Sequence, residues 1–209
     1  MAGSAGSWFY RIGKRTCSVL AGVFFRLRAY DLDHLPRTGG ALLLSNHQSY
    51  LDPVAIGAPS RRELCYLARE SLFRNRVFGA VLRGVNVLPV RRGRPDKSSM
   101  RRAIERLRSG HLLLMFPEGT RTRDGELQPI RGGFRLLVRR ARVPVVPVAV
   151  DGGYKAWPRW RLLPVPAQVR VIYGRRIPAE EFDDLSDEEA GERVAREISA
   201  LLGTLRSLP

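Results

Sequence analysis

The chain is poor in the residues that would mark a disulfide-held or metal-held scaffold. Its two cysteines, Cys17 and Cys65, belong to no C-x-x-C pair. That spacing excludes a disulfide framework and a thiolate zinc site, so both read as reduced, buried thiols of a cytosolic protein. Lysine occurs only at Lys14, Lys97 and Lys155, which leaves arginine to supply nearly all the positive charge. No apolar run reaches the ~20 residues that a membrane-spanning helix requires. The stretch from Cys17 to Phe25 is closed by Arg26 and Arg28 with no small-residue cleavage site behind it, unlike a secretory signal. Internal repeats and low-complexity segments are missing. So are a G-x-S-x-G nucleophile elbow and a cysteine placed to act as a nucleophile.

What the chain has in excess is positive charge. The formal net charge is +16, unevenly distributed: residues 180–209 hold nine acids and three basic groups, leaving 33 basic and 11 acidic groups in the rest. Such a field favours an anionic partner, whether nucleic acid, an anionic membrane surface or a phosphorylated substrate. The arginines are dispersed, without a zinc-finger, RRM-like or helix-turn-helix signature and without a basic-aromatic stripe. Nucleic acid is therefore not expected as a partner. At 209 residues the size suits one domain with one substantial core.

Near the N-terminus, Trp8, Ile12, Val19, Leu20, Val23, Phe24 and Leu27 fall within an arc of roughly 160° on a helical wheel. Arg11, Lys14, Arg15 and Arg28 lie outside it, with Phe25 and Arg26 as exceptions. Aromatic and aliphatic side chains opposite cations describe an amphipathic helix in a membrane interface, against the alternative of a helix packed on its own domain. Residues 1–30 are read as this segment and 31–209 as the main domain. From there strand signals at Ala41–Ser45, Glu63–Leu67, Val85–Val90, His111–Phe116, Val143–Val150 and Val169–Tyr173 alternate with helical patterns at Pro53–Gly57, Glu70–Leu82, Ser98–Ser109 and Gly133–Ala141. Ser186 to Glu189 forms a capping box that opens a last helix running to about Leu205. The alternation predicts an α/β fold, a mixed and mostly parallel sheet flanked by helices.

Two short stretches carry chemistry. Ser45-Asn46-His47-Gln48-Ser49-Tyr50-Leu51-Asp52 and Phe116-Pro117-Glu118-Gly119-Thr120-Arg121 each follow a strand-like apolar run. A parallel sheet presents both at strand carboxyl ends, where such folds bind ligands. His47 and Asp52 would point about 140° apart on a continuous helix, but a strand-to-helix turn can bring them together. The pair then makes a base with a carboxylate to orient it. Gly119 permits close backbone approach, and Arg121 offers a planar fork for phosphate oxygens. Glu118 suits a phosphate pocket only if it pairs with an arginine or bonds an acceptor hydroxyl. Ser49 reads as a cap or a local turn bond.

Together the N-H-x-x-x-x-D and F-P-E-G-T-R blocks resemble the signature of the 1-acylglycerol-3-phosphate (lysophosphatidate) acyltransferases, the PlsC-like glycerolipid acyltransferases. The resemblance runs from about residue 38 to residue 152. It includes Arg69, where members commonly carry lysine, the block from Gly84 to Arg91, Arg131 with Gly133, and Val143 to Val148. It implies that His47, oriented by Asp52, deprotonates a lysophospholipid hydroxyl, which attacks an acyl thioester directly. Glu118, Gly119, Thr120 and Arg121, with Arg91 and Arg69, would bind substrate. The donor would be acyl-CoA or acyl-carrier protein, with no further cofactor and no metal. Other lysophospholipids, glycerol 3-phosphate or a lyso-aminolipid stay open as acceptors. The implied place is the cytoplasmic face of the membrane, peripheral or monotopic.

Overall fold

The structure, a computed structural model, describes residues 5–90 and 96–208. Seven strands form one sheet: β1 (Arg28–Tyr30), β2 (Ala41–Ser45), β3 (Leu64–Arg69), β4 (Val87–Val90), β5 (Leu112–Met115), β6 (Val145–Asp151) and β7 (Arg170–Tyr173). Their order is β1-β7-β6-β2-β5-β3-β4, and only the β6–β7 pair is antiparallel. The helices are α1 (Ala5–Phe25), α2 (Asp52–Gly57), α3 (Arg76–Gly84), α4 (Lys97–Arg108), α5 (Arg135–Ala141), α6 (Gly153–Ala156) and α7 (Asp187–Ser207).

β2 lies between β6 and β5 with helices on both faces, so all five of its residues are buried. Its side chains alternate. Leu42 and Leu44 join Leu113, Phe134, Val194 and Ile198 on one face, while Ala41 and Leu43 join Ile56, Leu112, Val146 and Tyr173 on the other. From β2 the chain moves through β3 to β4 in one direction along the sheet, then returns through β5 to β6 in the other. Parallel crossovers are right-handed, so reversing direction moves the connecting helices to the opposite face. The loops after β2 and β5 stand side by side where this reversal occurs, the usual ligand crevice of an open α/β sheet.

Local signals set several boundaries. Asp96 caps α4 by accepting from the Ser99 N–H, and Gly110 follows with φ +86°. The capping box between Ser186 and Glu189 opens α7. The expected helix over Glu70–Leu82 is instead a 3-10 turn (Glu70–Phe73) followed by α3, because Asn75 accepts from the Phe78 N–H and starts a new helix there. β1 has no expected counterpart; it adds residues 28–30 to the sheet edge beside β7.

The first helix docks through a narrow stripe. Tyr10, Ala21 and Phe25 are buried, the Tyr10 hydroxyl accepts from the Leu64 N–H, and the Lys14 ammonium donates to the Ser60 carbonyl. Ile12, Val19, Leu20, Val23 and Phe24 remain exposed. These five members of the apolar arc thus face outward while Leu27 is partly buried against the core and the helix also packs on its own domain; Phe25, an exception to the arc, belongs to the docking stripe. The Trp8 and Arg11 side chains lie outside the described residues. Cys17 is exposed, contrary to the expectation that both thiols are buried, because it sits between stripe and arc; Cys65 is buried. No described helix is long and apolar enough to cross a membrane.

Candidate active site

His47 follows β2 directly, and Asp52 is the first residue of α2. The intervening turn folds the carboxylate back. Asp52 Oδ2 accepts from His47 Nδ1–H at 2.8 Å and from the Gln48 and Ser49 N–H groups at 2.6 and 2.7 Å. Asp52 is fully buried, and its Oδ1 has no hydrogen-bond partner among the described residues. Ionised Asp only accepts, so the ring proton resides on Nδ1 and Nε2 keeps its lone pair. The His47 ring stacks on Phe116, with centroids 3.9 Å apart and planes at 15°. Position and tautomer of the imidazole are therefore both fixed. Ser49 Oγ accepts from the Leu51 N–H within the turn and donates to the Trp157 carbonyl.

The second motif is bonded to the first through backbone. Glu118 Oε1 accepts from the His47 N–H at 2.7 Å, Oε2 accepts from the Gln128 N–H at 3.2 Å, and the Thr122 N–H donates to the His47 carbonyl at 2.8 Å. Both Glu118 oxygens thus hold the loops together; neither pairs with an arginine among the described residues. Burial, more than the nearby carboxylates of Asp52 and Asp124, pushes the Glu118 carboxyl up from 4.5 to about 7, against the two backbone N–H bonds that lower it. Gly119 takes φ +76°, which lets the chain turn sharply after β5.

Arg121 lies over the Tyr50 ring, its guanidinium carbon 3.4 Å from the ring centroid, and its Nη1 is buried without a hydrogen-bond partner among the described residues. A guanidinium held over an aromatic face keeps its full positive charge for an anionic ligand. Thr120, beside it, is exposed. Arg69 ends β3 and is exposed. That strand end is two strand spacings from β2, roughly 10 Å. Arg91 lies outside the described residues, immediately after β4.

Residues to which the motifs gave no role complete the framework. The Asn46 amide bonds both the N–H and the carbonyl of Val150 at 2.8 Å, tying the loop after β2 to β6. Gln48 donates to the Gly125 carbonyl and accepts from the Tyr154 N–H. At Gly153 a Cβ would come within 2.8 Å of Asp52 Oδ1, so only glycine lets α6 pass so close to the carboxylate. An apolar cleft of about 470 Å³ starts at Phe116 and Tyr50 and runs between α1 and α3, walled by Val54, Leu72, Val81 and Leu82. The imidazole thus stacks on one wall of the apolar cleft, Phe116, and the Arg121 cation sits over another, Tyr50.

A sequence model of the Acyltransferase family matches residues 26–151. The 1-acyl-sn-glycerol-3-phosphate acyltransferase of Bacillus subtilis is 24% identical over 95% of this chain and 96% of its own length. The Streptococcus pneumoniae enzyme of that name is 31% identical over 81% of this chain and 62% of its own. The chloroplastic BAT2 enzyme of Brassica napus is 28% identical over 90% of this chain, which spans only 55% of that protein. Among solved structures, the 1-acyl-sn-glycerophosphate acyltransferase PlsC of Thermotoga maritima superposes with a TM-score of 0.81 over 98% of this chain and 80% of that one, at 24% identity. That likeness establishes the fold.

Proposed function

Taking as premise that the chain belongs to the Acyltransferase family, we propose that it transfers a fatty acyl group from a thioester, acyl-CoA or acyl-carrier protein, to the free hydroxyl of 1-acylglycerol 3-phosphate, giving phosphatidate. The observation that carries this reading is the Asp52-held His47 stacked on Phe116, which with Tyr50 lines the apolar cleft, while Arg121 sits over that same Tyr50 ring. In the proposed reaction Nε2 takes the acceptor hydroxyl proton as the oxygen attacks the thioester carbonyl. A C–O bond forms, the C–S bond breaks, and the departing thiolate takes the proton from the imidazolium. Buried Asp52 stabilises that imidazolium, and no acyl-enzyme is required.

The acyl chain would lie in the cleft, and Arg121 would hold the acceptor phosphate, helped by Arg69 and Arg91. Gly119 and Thr120 would shape that pocket, and Glu118 would act through His47 rather than on substrate. The exposed apolar residues of α1 and the absence of acids from residues 1–30 support peripheral attachment to an anionic membrane surface; in this proposal that surface is the cytoplasmic face. An acceptor panel on purified protein tests the reading, with free thiol as readout. Lysophosphatidate should outpace lysophosphatidylcholine and glycerol 3-phosphate. Equal or faster use of an acceptor lacking the phosphomonoester would overturn it.

A further inference from the structure

The segment joining α6 to β7 does not look like a solvated loop. Within Trp157-Pro158-Arg159-Trp160-Arg161-Leu162-Leu163-Pro164-Val165, Leu162 is 87% exposed, Leu163 71% and Trp160 62%. Connecting segments normally present polar tips to water, and contiguous exposed apolar groups mark an interaction surface. The turn is nonetheless well braced. The Trp157 indole donates to the Arg161 carbonyl at 2.9 Å, the Arg161 N–H to the Pro158 carbonyl at 3.1 Å and the Val165 N–H to the Ala156 carbonyl at 2.9 Å. Trp160 packs edge-on against Tyr154. The leucines are therefore held outward by structure.

Two further observations identify the occupant. Trp157 and Pro164 share one apolar crevice with Leu20, Ala21 and Phe25, so the turn lies alongside α1 and extends its exposed arc. Between Asp151 and Glu180 the chain contains no acid, while Lys155, Arg159 and Arg161 flank the apolar tip. An apolar wedge ringed by cations complements an anionic bilayer, with arginines at the headgroups and leucines below them. Its base is tied to the catalytic turn, since Ser49 Oγ donates to the Trp157 carbonyl and the Tyr50 and Trp157 rings touch.

We infer that the 158–165 turn is a second membrane-inserting element, which with α1 fixes the tilt of the domain on an anionic bilayer. The inference rests on the lipid-directed function proposed above. Insertion of the turn beside α1 widens the contact away from the helix axis, removes the rolling freedom a single helix would allow, and so keeps the site next to the turn facing the membrane.

The test uses full-length protein in which Cys17→Ser leaves only buried Cys65 and Leu163→Cys takes an environment-sensitive fluorophore. Phosphatidylcholine vesicles containing phosphatidylglycerol should shift its emission to the blue, and pure phosphatidylcholine should do so less. Leu162→Ser/Leu163→Ser, at exposed positions, should fold normally and bind the mixed vesicles at least roughly tenfold more weakly. Its turnover of a short-chain, micelle-free substrate should be unchanged. A protein that still floats with mixed vesicles while the probe stays unshifted overturns the inference. So does a double variant that changes oligomeric mass but not vesicle binding, since the face would then be a subunit contact. Failure of the functional reading shows separately, as absence of acyl transfer from unlabelled wild type in detergent, whatever the vesicles report.

Discussion

Replacing Asp52 by Asn separates the charge of the carboxylate from its geometry. Three donors converge on Asp52 Oδ2: His47 Nδ1–H and the backbone N–H groups of Gln48 and Ser49. An amide nitrogen at that point would face all three, so the asparagine must place its oxygen there and its NH2 at the Oδ1 position. Nδ1 then keeps its proton and Nε2 its lone pair. What is lost is the negative charge opposite the imidazolium. Charge-assisted hydrogen bonds exceed neutral ones by about 1–2 kcal/mol, and a unit charge pair at this range with an effective dielectric near 20 is worth at most about 4 kcal/mol. Asp52→Asn should therefore lower kcat by roughly ten- to a thousandfold. It should stop short of the ~10⁴-fold loss seen when a comparable exchange in a serine-protease triad forces the wrong tautomer. Thiol release with lysophosphatidate measures the rate, and the imidazole Nδ1 proton signal in NMR reports the tautomer. An undiminished rate refutes the role of the charge. Loss of the Nδ1 proton refutes the argument that the backbone donors dictate the orientation.

Arg121→Lys keeps the charge but gives up the flat stack on Tyr50 and the two-pronged fork, and should cut acceptor kcat/KM about ten- to hundredfold at 1.5–3 kcal/mol; unchanged acceptor kinetics would remove Arg121 from the phosphate. Gly153→Ala drives a methyl towards Asp52 Oδ1 and the Ser49 side chain, so activity should fall along with about 1–3 kcal/mol of stability, and normal melting with full turnover would show that α6 can retreat. Because the Glu118 carboxyl rises from 4.5 to about 7 on folding, the folded state holds its proton more tightly than the unfolded one, and stability declines as pH rises from about 4.5 to 7, by up to roughly 3 kcal/mol. Urea midpoints across that range should fall more steeply for wild type than for Glu118→Gln, and parallel curves would show that Glu118 does not contribute this slope.

The strands most legible in the sequence are the continuous apolar runs, β2 and β6, because a strand buried on both faces needs no polar alternation. α4 and α7 are legible through their caps, which act within a few residues. β1 is not, since Arg28-Ala29-Tyr30 has no periodicity of its own and becomes a strand through its pairing with β7. The apolar arc of α1 is visible on a helical wheel, but the docking stripe of Tyr10, Ala21 and Phe25 is set by the surface beneath it. Consequently deletion of residues 8–28 would also remove Phe25 from the core and Arg28 from the sheet, so it does not isolate membrane attachment. At the site, spacing nominates His47 and Asp52, and the turn at the start of α2 joins them. The bonds from Glu118 to His47, the stack of Tyr50 on Arg121 and the clearance at Gly153 each join residues from different strand ends, and only the sheet order reveals them.

Direct attack on a thioester requires the His47 imidazole to deprotonate the acceptor hydroxyl. Purified wild type and His47→Ala, matched for folding by circular dichroism, should be supplied with acyl-CoA or acyl-carrier protein and lysophosphatidate, with phosphatidate and free thiol measured together. Wild type should release one thiol per phosphatidate with no thiol burst in the absence of acceptor, and the folded variant should give no product. Near-wild-type phosphatidate formation by His47→Ala, or an acceptor-independent burst that leaves an acylated protein, would contradict this mechanism.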